Sequence, residues 1–134
     1  MVEAQNIKNI DNFPDKSLLI VDDDNPFRER LARAMEKKGF IVSQAESVKN
    51  GITAVKEKKP AFAVVDLRLG DGNGLQVVKE IQTLNSESRV IMLTGYGNIP
   101  TAVAAIKEGA IDYLAKPADA DDVERALFAD PNQK

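Results

Sequence analysis

Residues 18–27, LLIVDDDNPF, run four apolar residues directly into three carboxylates, Asp22, Asp23 and Asp24, and then into Asn25-Pro26. Burying Leu18 to Val21 stabilises a fold, whereas burying like charges beside them costs free energy unless something compensates. A short apolar run that stops so abruptly on acid reads as a buried strand whose carboxyl end opens onto a site. Pro26, suited to the first turn of a helix, then sends the chain back.

The same grammar repeats along the chain. Strands are expected at SLLIV (17–21), FIVSQ (40–44), AFAVVD (61–66), RVIML (89–93) and IDYLA (111–115). Between them, Phe27, Leu31, Ala34 and Met35 recur at helical spacing up to Gly39, and Val48, Ile52 and Val55 follow a capping Ser47 up to Lys59-Pro60. Leu75, Val78 and Ile81 mark a third helix after the turn GDGNG (70–74). Val103 and Ile106 lie in a small-residue helix from Asn98 to Gly109, and Asp119 opens a last one through Val123, Ala126 and Leu127. Five strands alternating with five helices predict a doubly wound α/β fold around a five-stranded parallel sheet with right-handed connections. Residues 1–16 lack periodicity and are expected to be a flexible arm, 17–128 the domain, and 129–134 a tail or the start of a linker.

Composition narrows the chemistry. With 134 residues, 43% of them hydrophobic, the chain suits one core. It has no cysteine and no histidine, which excludes disulfides, thiolate chemistry, the usual zinc sites and a phosphohistidine carried by this chain. A net charge of -3, with Lys37-Lys38 and the lysines of 56–59 at helix ends, leaves no basic footprint for nucleic acid. The polar N-terminus carries no apolar signal core and no apolar run approaches a membrane span, so a cytoplasmic protein is expected.

In a doubly wound sheet, ligands gather at the carboxyl ends of the strands. Those ends carry Asp22-Asp23-Asp24, Asp66, Thr94-Gly95 and Lys116-Pro117. Clustered carboxylates repel unless a divalent cation or the lysine offsets them, and an all-oxygen ligand set suits Mg2+, for which Mn2+ can substitute. One of these carboxylates could then attack a phosphoryl group while Lys116 neutralises its oxygens and Thr94 hydrogen-bonds one of them. Singly, each residue has a plainer role: Asp24 as the cap of the Pro26 helix, Lys116 as a surface lysine, Tyr113 as a core or rim aromatic. Their joint placement at four strand ends favours the site.

The segments VDDD, AVVDLRL, LTGYG and DYLAKP, taken together, resemble the receiver domains of two-component response regulators, the flavodoxin-like (CheY-like) fold. DLRLGDGNGL and TGYGNIPTAVAAIKEGAIDYLAKPADA resemble the RegA/PrrA/ActR class of global redox regulators. The resemblance implies that Asp66 is the phosphoacceptor, and that Asp22, Asp23, Asp66 and the main-chain carbonyl of Arg68 hold Mg2+. It implies that Thr94 and Tyr113 are the switch pair, and that Lys116, before a cis Pro117, pairs with the phosphoryl group. Asp24 receives no metal role. Arg68 and Tyr96, two positions after Asp66 and Thr94, are expected to slow hydrolysis by screening water.

The implied partner is a sensor histidine kinase, with a phosphorylation-dependent homodimer as a further expectation. DNA would be reached only through a helix-turn-helix output domain absent from this chain, so that the chain is a fragment or a stand-alone receiver. It is expected to be no enzyme beyond catalysing its own phosphorylation and dephosphorylation. Two alternatives compete. A haloacid-dehalogenase-like phosphatase would match the spacing of Asp22 and Asp24 but needs Thr or Val where Pro26 stands. A flavin-binding module would need a phosphate loop of Ser, Thr and Gly where three carboxylates stand.

Overall fold

The computed structural model describes Ile10 and residues 13–95 and 99–129. Five parallel strands form the central sheet: β1 (Ser17–Val21), β2 (Ile41–Ala45), β3 (Phe62–Asp66), β6 (Arg89–Thr94) and β7 (Asp112–Ala115), in the order β2-β1-β3-β6-β7. The helices are α1 (Asn25–Lys37), α2 (Val48–Lys58), α3 (Leu75–Leu84), α4 (Ile99–Lys107) and α5 (Ala120–Phe128). Strand order reverses between β1 and β3, which places a crevice at their carboxyl ends.

The central strands are continuous apolar runs because both faces are covered. Leu18, Ile20, Phe62, Val64, Ile91 and Leu93 pack under α1 and α5. Leu19, Val21, Ala63, Val65, Val90 and Met92 alternate with them and pack against α2, α3 and α4. Helix starts follow the capping residues: Asp24 Oδ1 accepts from Phe27 N at 3.1 Å, Ser47 Oγ from Asn50 N at 3.0 Å, and Asp119 Oδ1 from Asp122 N at 2.8 Å. α2 ends at Lys59, whose φ of 44° is left-handed, just before Pro60. No helix among the described residues is long and apolar enough to cross a membrane.

Several details depart from or add to the sequence reading. Phe40 is not the first residue of β2; it turns inward at 3% exposure and leaves Ile41, on the edge strand, 70% exposed. The turn after Asp66 contains a small antiparallel hairpin, β4 (Arg68–Leu69) with β5 (Gly72–Asn73). Among the described side chains of α4, Ala105 is buried, while Val103 and Ile106 are 44% and 41% exposed.

Most of the expected arm at 1–16, and the expected tail past Ala129, lie outside the described residues, but within the arm Ile10 is buried in the core and Phe13 packs against it. Ile10 is 2% exposed, against Gly39, whose φ of +108° and lack of a side chain admit it: a Cβ there would stand 2.9 Å from Ile10 Cγ2. Phe13 packs on Phe62 and Phe128 with ring centroids 5.3 Å away in each case. Burying an isoleucine and part of a phenylalanine is worth a few kcal/mol, about 1.5–3 for each side chain fully covered.

Candidate functional site

The carboxyl ends of β1 and β3 bring Asp22, Asp23 and Asp66 together: one carboxylate oxygen from each lies within 4.8 Å of the other two. Asp22 is wholly buried and Asp66 is 6% exposed, whereas Asp23 faces solvent. From the end of β7, Lys116 Nζ reaches Asp22 Oδ2 at 3.0 Å and Asp66 Oδ2 at 3.4 Å. The ammonium also lies 4.8 Å from the centroid of the Phe27 ring.

Local bonds hold these groups in place. Asp22 Oδ1 accepts from Asp24 N at 2.9 Å, and Asp22 O accepts from Arg28 Nη1 at 2.8 Å. Lys116 N donates to Thr94 O at 2.8 Å, so the lysine and the end of β6 share one backbone bond. Thr94 is 2% exposed and follows Leu93, the register partner of Asp66. Tyr113, half-buried, is paired with Met92 and packs on the α2–α4 side of the sheet. Gly74 closes the loop after Asp66. A Cβ there would fall 2.1 Å from Asp66 O, a distance only glycine permits. The Lys116–Pro117 bond is cis, as the resemblance implied.

The electrostatics are unbalanced. Burial first, and then the charge of Asp22, push the Asp66 carboxyl up to about 7, against the opposing pull of Lys116. Burial works to lower the Lys116 pKa, but its bonds to Asp22 and the charges of Asp22 and Asp66 outweigh it, so the net direction is upward. Among the described residues, three carboxylates therefore stand beside one ammonium, which contacts Asp22 and Asp66 but not Asp23, leaving negative charge that a further cation would neutralise. Clustered hard oxygen donors of this kind, from Asp22, Asp23 and Asp66, fit a divalent metal.

Of the residues singled out in the sequence, Asp22, Asp23, Asp66 and Lys116 meet side chain to side chain, and Thr94 joins them through the backbone. Arg68 sits two positions on, in β4, and Tyr96 lies outside the described residues. Asp24 caps α1. The sequence reading missed Phe27 beneath Lys116 and Arg28 on the Asp22 carbonyl. Phe27 looked like one more core position of α1, and Arg28 like a surface charge, because the strand ends that give them a second role are remote in the chain.

The response regulator receiver domain family matches residues 18–128. The acid tolerance regulatory protein ActR of Sinorhizobium medicae is 60% identical over 121 residues, covering 90% of this chain and 62% of that protein. The photosynthetic apparatus regulatory protein RegA of Rhodobacter capsulatus is 59% identical over 115 residues, covering 86% and 62%. This chain thus spans a little under two thirds of the length of these curated relatives. Among solved structures, a response regulator of Burkholderia pseudomallei with a phosphorylated aspartic acid, calcium ion and citrate superposes with a TM-score of 0.80. It is 40% identical, over 84% of this chain and 66% of that one. The receiver domain of NtrX from Brucella abortus gives 0.74 at 33% identity, over 84% and 99%.

Proposed function

Since this chain belongs to the response regulator receiver domain family of two-component signalling, we propose that it takes a phosphoryl group onto Asp66 from a sensor histidine kinase. The observation that carries this reading is the meeting of a buried Asp66 with Asp22, Asp23 and Lys116 at one sheet edge. An Asp66 carboxylate oxygen forms the new bond to phosphorus as the bond from phosphorus to the donor's imidazole nitrogen breaks. The electron pair leaves with that nitrogen. The donor is external, because this chain has no histidine.

Asp22, Asp23 and Asp66, with the Arg68 carbonyl, would hold Mg2+ or Mn2+, which when bound supplies positive charge against the phosphoryl oxygens. Attack needs Asp66 ionised. Lys116 favours that form, and its ammonium is within reach of the oxygens the transferred group would bring. Burial of Asp66 limits access of hydrolytic water. Arg68, and Tyr96 from outside the described residues, would screen the rest, so R68A and Y96A each shorten the phosphoryl lifetime; an unchanged half-life in both overturns that role.

The phosphorylated state would draw Thr94 and Lys116 toward the new dianion and let Tyr113 turn inward. That shift biases α4 and β7. The exposed Val103 and Ile106 on α4 suit a face that then pairs with a second copy or an output domain. ActR and RegA are regulatory proteins longer than this chain, and that kinship supports control of transcription as the output of the switch. The cytoplasm is the matching location. The phosphatase alternative has no support from the relatives.

Incubation with acetyl phosphate and Mg2+ tests the assignment by intact mass. Wild type gains one phosphoryl group and D66N gains none; an equal gain in both overturns the choice of Asp66.

A further inference from the structure

Asp71 lies at the tip of the β4–β5 hairpin, exposed, yet its carboxylate is committed to another part of the chain. Its Oδ1 accepts from Val48 N at 2.7 Å and its Oδ2 from Lys49 N at 3.1 Å. These are the first two amides of α2, which no intrahelical carbonyl can satisfy. Ser47, the local cap, accepts only the next one, Asn50 N. The start of α2 is therefore completed by a residue 23 positions downstream. These two bonds hold the Asp71 carboxyl below its usual range.

The hairpin that Asp71 tethers is the segment that leaves Asp66. Its base is fixed by Leu67 N on Leu93 O and Gly74 N on Leu67 O, each at 2.8 Å. Leu69 is buried on the same side of the sheet as Val48. Between base and tip, the backbone borders the acidic cluster: a Cβ on Gly70 would stand 3.9 Å from Asp23 Oδ2. Arg68, whose carbonyl is the one non-carboxylate oxygen in the metal set above, lies on this span and pairs with Asn73. Beyond the base bonds and buried Leu69, the Asp71 bonds fix the tip of this two-residue ladder to the start of α2.

We propose that Asp71 is a positioning residue of the metal centre: by clamping the hairpin tip to the α2 N-terminus, it holds the Arg68 main chain where it can complete the site formed by Asp22, Asp23 and Asp66. The inference rests on the metal reading given under the proposed function. Orientation of ligands by partners outside the ligand shell is general in metal sites, and losing such a partner typically weakens metal binding by about ten- to a hundredfold.

An amide NMR titration of the whole chain with MgCl2 tests it, in wild type, D71A, D71N, S47A and D23N. D71A raises the half-saturating Mg2+ concentration about tenfold, and D71N, which keeps one acceptor oxygen, raises it less. S47A removes the other cap of the same helix, so it measures helix stability alone and leaves Mg2+ affinity within about twofold of wild type. D71A within twofold of wild type, or S47A weakened as much as D71A, overturns the clamp. Wild type and D23N that respond alike to Mg2+ overturn the metal reading itself, a result distinct from either. Should D71A fail to fold, the comparison of D71N with S47A decides by the same criteria.

Discussion

The same strand, β3, begins at Phe62 and ends four residues later at Asp66, and its two ends are organised differently. At the amino end, Phe62 is fully buried against Phe13 and Phe40, each with ring centroids 5.3 Å away, and against Phe128 at 5.9 Å. Beside it, Arg89 at the start of β6 closes the end of α5, donating to Leu127 O at 2.6 Å and also to Ala129 O. At the carboxyl end, Asp66 meets two more carboxylates and one lysine. A marginally stable domain can thus keep an unfavourable charge cluster: apolar burial at one end of the sheet offsets, within a single cooperative unit, what the other end costs.

Breaking the amino end should have the largest effect. Phe62→Ala leaves a cavity amid three rings and costs about 3–5 kcal/mol in urea unfolding; a loss below about 1 kcal/mol would show that the cluster carries little stability. Mg2+ should shift the stability of this variant as much as it shifts wild type, because the site lies at the far end of the strand.

Removing Lys116 attacks the carboxyl end. Lys116→Ala strips the one ammonium from Asp22 and Asp66 and should cost about 2 kcal/mol in EDTA, less than a fully buried pair because the lysine is partly exposed. Mg2+ should recover most of that loss, since it binds only the folded site. Equal losses with and without Mg2+ would refute the idea that charge imbalance is the defect.

Asp66→Asn relieves the imbalance instead. The folded-state pKa of about 7 lies above the ordinary 3.8. The folded protein therefore holds a proton that the unfolded chain has released, and metal-free stability falls as pH rises from about 4 to 7. The shift bounds the effect at roughly 4 kcal/mol. Because Asn also gives up the attraction of Lys116, a gain of about 1–2 kcal/mol is expected at pH 8 in EDTA, shrinking toward pH 4. A gain independent of pH would mean that shape rather than charge is responsible.

The smallest effect is expected at Lys38, which joins the end of α1 to α5 through Asp121 at 2.6 Å and Glu124 at 3.0 Å. The acidic partners are substantially exposed, so Lys38→Ala should cost under about 1 kcal/mol and little at high salt. A larger, salt-independent loss would place this contact with the aromatic end rather than with the surface.

Much of the architecture was legible in the sequence. Apolar runs of strand length and helical spacing between them fix β1, β3, β6 and five helices, because alternation of these periods admits few topologies. Asp22, Asp23, Asp66, Thr94 and Lys116 were legible as strand-end residues for the same reason. Phe40 was misread because an aromatic beside a β-branched run has strand propensity, while its burial depends on Phe62 and Phe128. Ile10 and Phe13 are not legible as core in the sequence, because two apolar residues in a polar stretch carry no period. Val103 and Ile106 showed helical spacing but not which face α4 turns to the sheet.

Local patterns of apolar and charged residues set the succession of strands and helices along the chain and the kinds of chemical group at each strand end. Which of those groups meet, and how much solvent each loses, emerges from the folded chain. The near-neutral pKa of Asp66, the seat of Lys116 on Phe27 and the reach of Asp71 to α2 all come from residues distant in the chain. Desolvation and hydrogen bonding act over a few ångströms of space, and separation along the chain does not encode that distance.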